Sequence, residues 1–214
     1  MYKYEGLGCI YWHMVSKLVL AVAEFIIDSR GAGVDESILQ KLTIHLRDIR
    51  EGLGLHKTPD SYGAIPLDPY SHTPGFTGVQ QPGMTGQVKE DIITRFRELG
   101  VVVEDGAISF NPYFLSRDEF TSEARPHDVF SGDRGQEEAW EAGCLAFSLC
   151  GTPVIYRLGE NGSIHVHMDN RKTEVINGLH FGKSLSQSLF NREKRIRKIL
   201  VNIPKEALGQ KFLM

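Results

Sequence analysis

Cysteine is scarce in this sequence, and the three that occur, Cys9, Cys144 and Cys150, show no C-x-x-C spacing. An odd count without that spacing excludes a disulfide framework and a zinc ribbon. Two of the three begin and end the apolar run CLAFSLC, where cysteine serves as a small buried hydrophobe. Long apolar runs are missing as well. The segment from Trp12 to Ile27 is broken by His13, Ser16, Lys17 and Glu24, so it does not read as a membrane span. No secretory signal pattern opens the chain, and a soluble, cytoplasmic protein is expected. Neither sign of charge dominates: 27 acidic and 24 basic residues leave a net charge of −3. That balance gives no electrostatic case for nucleic acid, and neither nucleic acid nor membrane is expected as a partner. The basic run Arg192–Lys198 (REKRIRK) alternates with Ile196 ahead of a strand pattern and reads as a solvated edge. A glycine-rich phosphate motif, a G-x-S-x-G elbow and an H-E-x-x-H helix are all absent. No cofactor and no metal are therefore expected, and no residue is assigned a catalytic role.

What is present is a change of period. The chain has 214 residues, 41% of them hydrophobic, enough to bury a substantial core. Val15, Leu18, Val19, Val22 and Ile26 form a helical stripe that ends near Ser29-Arg30-Gly31. Asp35 is placed to cap a second helix, whose Leu39, Leu42, Leu46, Ile49 and Leu53 step by three and four and stop at Gly54. Val88, Ile92, Phe96 and Leu99 mark a third, with Thr85 as cap and Gly100 as stop. Beyond Gly100 the period drops to two. VVVEDGAISF reads as a hairpin about Glu104-Asp105-Gly106, and CLAFSLC, PVIYRL, SIHVHM, TEVI and KILVNI read as strands. Glu160-Asn161-Gly162 and Asp169-Asn170 supply turns. Between Asn111 and Gly143, short helices are expected near 117–120 and 136–142. The expected class is α+β: a helical part with three principal helices, then an antiparallel β-sheet or sandwich. The boundaries are 1–100 for the helical part, with a long loop at 56–83, and 101–214 for the β-rich part.

The loop and the helix entry after it hold the candidate chemistry. An irregular segment of that length is uncommon unless it is functional or disordered, and Tyr62, Ile65, Tyr70 and Phe76 make it too apolar for a linker. Residues 68–91 combine aromatic faces with side chains that satisfy several hydroxyls directionally, which is what a sugar site needs. The candidate ligand-binding residues are Asp68, Tyr70, His72, Gln80, Gln81 and Glu90, with Trp12 and His13 at the start of the first helix. Pro82 and Gly83 force a sharp entry to the helix after Met84, whose free amides favour carboxylate or phosphate. Plainer alternatives stay open. The glutamines can cap the loop's own backbone, Trp12 can be a core anchor, and Glu90 suits a first helical turn on dipole grounds. His165 and His167 alternate with Ile164, Val166 and Met168, which suits a half-buried strand better than a two-histidine metal site.

The order of these features resembles the C-terminal end of the six-hairpin glycosidase superfamily, the (α/α)6 toroids of cellobiose-phosphorylase and amylo-glucosidase type. There a last toroid helix runs into G-[VIL]-x-[VIL]-x-x-G-x-[IL]-x-[FVI]-x-P, and here Gly100, Gly106, Ile108, Phe110 and Pro112 fill those positions. The resemblance implies a carbohydrate-active region that binds a glycan or sugar phosphate. It also implies that the main catalytic carboxylate comes from earlier hairpins, so the chain lacks a complete catalytic set and an N-terminal part. Glycoside hydrolase or phosphorylase activity is implied only for a longer chain. The alternative is a structural or oligomerisation module without ligand chemistry. On either reading the exposed apolar helix surface leads to an expected homo-oligomer.

Overall fold

The computed structural model describes residues 2–4, 6–53, 72–74, 85–127 and 138–208, with side chains over 14–50, 89–124 and 141–208. The chain divides into two compact units, Met1–Arg97 and Glu98–Met214. The class is α+β, with helices first and a sheet after them.

The first unit contains α1 (Gly6–Gly31), α2 (Glu36–Leu53), nearly all of α3 (Thr85–Glu98) and a small ladder of β1 (Tyr2–Tyr4) with β2 (His72–Pro74). Helices α1 and α2 pack together, burying Val19, Ala23 and Ile26 from one and Leu39 and Leu46 from the other. Each of the valine, leucine and isoleucine side chains contributes roughly 1.5–3 kcal/mol of apolar transfer. The reversal between them uses Gly33 at φ +76°, followed by Asp35, whose Oδ1 accepts the Ser37 amide at 2.9 Å. That is the expected cap.

Two details of the helices differ from the sequence pattern. Helix α1 begins at Gly6, so Trp12 and His13 lie about two turns inside it rather than at its start. Glycine is tolerated in a helix for roughly 1 kcal/mol, so Gly6 and Gly8 do not break the hydrogen-bond ladder. Helix α3 starts at Thr85 itself, and its stripe holds only in part: Leu99 at its end is buried, but Ile92 is 53% exposed, whereas Glu90, Thr94 and Glu98, four residues apart, are buried. Arg97 Nη2 donates to Glu24 Oε1 at 3.3 Å, tying α3 to α1.

The second unit opens with the hairpin β3 (Val101–Glu104) and β4 (Ala107–Phe110), turning at Asp105 (φ 49°) and Gly106 (φ 77°). Left-handed backbone at both positions is the type I′ turn that Asp-Gly predicts. After a 3₁₀ turn at Arg117–Glu119, where a short helix is expected, β5 (Arg125–His127) pairs with β6 (Glu138–Trp140). A helix at 136–142 was the expectation; its middle is strand, because cross-strand pairing overrides weak local propensity.

The main sheet holds β7 (Cys144–Leu149), β8 (Thr152–Gly159), β9 (Ser163–Met168), β10 (Thr173–Asn177) and β11 (Ile196–Pro204), in the order β10-β9-β11-β8-β7. It is antiparallel except that β11 inserts between β9 and β8 and runs parallel to β8. Parallel neighbours need a long crossover. The hairpin β9–β10 and the helix α4 (Lys183–Phe190) supply it. One face of the sheet is core: Tyr156, Val154, Ile164, Val166, Ile199, Val201 and Ile203. Phe110 meets Tyr156 edge-on at 5.8 Å and Phe181 at 6.4 Å. Among the described residues no helix is long and apolar enough to cross a membrane.

Candidate functional site

Of the candidate ligand residues, Asp68, Tyr70, Gln80 and Gln81 lie outside the described residues, as do Pro82 and Gly83. The other four sit on named elements of the first unit. His72 opens β2, where it stands opposite Tyr4, with Thr73 opposite Lys3 and Pro74 opposite Tyr2. This antiparallel ladder pairs the backbone of His72–Pro74 with Tyr2–Tyr4, the three residues shortly ahead of α1. Trp12 and His13 follow on α1 six and seven residues past Gly6, a rise of about 9–10 Å along the axis. The backbone thus brings His72 to the approach of the helix that carries Trp12 and His13. No periodicity signals so short a ladder, so it is not legible in the sequence.

Glu90 is on the second turn of α3 and only 4% exposed. Lys89 Nζ lies 3.9 Å from its Oε1, but that ammonium is well exposed and the pair is long, so it contributes little. Thr94 and Glu98 continue the same buried face. Carboxylates are buried only where other groups compensate them, so this face of α3 is a polar seam rather than an apolar one.

A second polar arrangement, absent from the sequence reading, crosses the outer face of the main sheet. Cys144, Arg157, Asn202 and Ser163 stand opposite one another in register on β7, β8, β11 and β9. Arg157 Nε donates to Asn202 Oδ1 at 3.1 Å, and Asn202 Nδ2 donates to Ser163 Oγ at 2.7 Å. Ser163 Oγ lies 3.4 Å from His165 Nε2. The chain of bonds fixes the guanidinium plane, and Glu141 Oε2 stands 3.8 Å from its Nη1. The signal for this row is alternation within each strand, but only register reveals that the polar positions align.

Burial pushes the Cys144 thiol up, against the pull of Arg157, which favours the neutral thiol. His167 Nδ1 is 3.1 Å from Thr173 Oγ1 on the neighbouring strand. Histidines 165 and 167 therefore hydrogen-bond to hydroxyls beside them, and the described residues contain no group of three metal-ligating side chains. Among the described residues Cys144 and Cys150 are free thiols.

The junction that carries the family resemblance is built as one piece. Gly100 follows the end of α3 at φ +71°, and its carbonyl accepts the Asn111 amide at 2.7 Å. Phe110 N donates to Leu179 O, Phe181 N to Ile108 O, and Ile108 N to Ser186 Oγ, which locks the hairpin to the segment entering α4. No protein-family model matches the chain, and no curated protein matches it either.

Proposed function

We propose that the chain is the C-terminal region of a six-hairpin, (α/α)6-toroid protein of glycosidase or phosphorylase type, and that it binds a glycan or sugar phosphate without a complete catalytic set. The observation that supports this reading is the β1–β2 ladder. It pairs the backbone of His72–Pro74 with the strand shortly ahead of the helix carrying Trp12 and His13, residue types suited to a sugar. The one-piece junction at Gly100–Pro112 supports the family reading, since those are the residues on which the resemblance rests. Cytoplasmic placement belongs to the same proposal and rests on the free thiols.

The test is a thermal-shift titration of the protein with neutral oligosaccharides, sugar phosphates and inorganic phosphate. A ligand at a hundredfold excess over its Kd stabilises by about 2.7 kcal/mol, a readily measured shift. Trp12→Ala and His72→Ala are each expected to abolish the shift while leaving the far-UV spectrum unchanged. A melting temperature unmoved by every ligand in the panel sinks the reading.

A second reading, an oligomerisation module, is favoured by a specific feature of α1. Met14, Leu18 and Phe25 are 63%, 49% and 59% exposed on the side of the helix away from Val19, Ala23 and Ile26.

A further inference from the structure

Helix α1 is apolar on two opposite sides. Ser16, Val19, Ala23 and Ile26 are buried, while Met14, Leu18, Ala21 and Phe25 are exposed. At 100° per residue the exposed four fall within about 60° of one another and face away from the buried set. Their spacing of four, three and four is that of a helix-pairing seam, not of scattered surface residues. Large apolar side chains aligned this way mark an interaction surface.

We propose that this seam docks α1 of a second copy of the chain, antiparallel, about a two-fold axis passing between Val19 and Leu20. In that arrangement the stripe is self-complementary. Met14 falls opposite Phe25 of the second copy and Leu18 opposite its Ala21, a large residue against a small one. Phe25 and Ala21 then meet Met14 and Leu18 in return, as a two-fold requires. The flanks agree. Lys17 and Glu24 lie on the same flank of the seam, seven residues apart, and the antiparallel pairing sets Lys17 beside Glu24 of the second copy, twice. Val15 meets Val22 on the other flank. A parallel pairing sets Lys17 beside Val22 and Glu24 beside Ser29, and matches neither charge. Glu24 is placed for the role: Oε1 accepts from Arg97, its side chain remains 44% exposed, and Oε2 is left for the lysine. Buried apolar layers give such a pair its affinity, and the flanking charges give it direction.

This proposal deepens the oligomerisation reading and does not depend on the glycan reading. The test is sedimentation of the full chain at tens of micromolar, with far-UV spectra to verify folding. A dimer is expected. Leu18→Asp, at an exposed position that folding does not need, is expected to weaken association by at least about a hundredfold. Lys17→Glu and Glu24→Lys proteins are each expected to be monomers alone, because each pairing then brings like charges together. Mixed in equal amounts, they are expected to form a one-to-one heterodimer, since both flanking pairs are restored. A dimer that L18D and K17E leave intact overturns the α1 seam but not oligomerisation. A wild-type monomer overturns both.

Discussion

Gly100 has no side chain because its surroundings leave no space for one. A Cβ there would lie 2.1 Å from the Asn111 carbonyl carbon, and the backbone stands at φ +71°. Gly100→Ala is expected to destabilise the protein by more than about 2 kcal/mol, combining the left-handed penalty with a backbone clash. Chemical denaturation is the measurement, and a loss below about 1 kcal/mol would contradict the clash. Tyr156 is a second such residue. Its hydroxyl donates to the Leu99 carbonyl at 2.7 Å inside the core, and burial pushes its phenol well above the ordinary value. Tyr156→Phe leaves that carbonyl without its donor and is expected to cost about 1–3 kcal/mol. The raised value has a sign: the neutral phenol favours the fold below about pH 10, and that stability is lost as pH rises further. Ultraviolet titration of the wild type should show at least one tyrosine, Tyr156, fewer ionising near pH 10 than unfolded protein shows. Neither role is written in the residue type, but Gly100 was legible as a helix stop because glycine alone enters that backbone region cheaply.

At the scale of the element, periodicity located helices and strands well and assigned their faces less well. The Asp35 cap, the Asp105-Gly106 turn and the five strands of the main sheet lie where local chemistry puts them. Helix α3 shows the other side. Its apolar stripe pointed Ile92 inward, yet Ile92 is exposed and Glu90, Thr94 and Glu98 are buried. Hydrophobic spacing reports what a helix can bury, while the neighbours decide what it does bury. Ile92→Lys is therefore expected to change stability by less than about 0.5 kcal/mol, the range of a surface substitution. A loss of several kcal/mol on denaturation would return Ile92 to a core. Helix α1 was ambiguous for a related reason: apolar residues on two sides give no single stripe, and only burial separates Val19, Ala23 and Ile26 from Leu18 and Phe25.

At the scale of the whole molecule, both compact units carry a carboxylate held below its ordinary value. In one, hydrogen bonds from Ser37 lower Asp35; in the other, hydrogen bonds from Ser188 and then Asn191 lower Glu193. A depressed carboxylate stabilises the fold above its unfolded value and ceases to as pH falls through its folded one. The contribution of these two groups is thus expected to be level from neutrality down to about pH 4 and to fall below it. Denaturation at stepped pH measures this, and a decline beginning near pH 6 would point to histidine instead. The sequence by itself determined the class, the order of helices before sheet, the turns and the glycine stop, because each depends on spacing and backbone freedom within a few residues. Tertiary structure alone decided the insertion of β11 beside β8, the pairing of His72 with Tyr4, the alignment of Arg157, Asn202 and Ser163, and the outward turn of Leu18 and Phe25. Those depend on which distant segments become neighbours, and a one-dimensional pattern specifies the face each segment offers without specifying the segment that takes it.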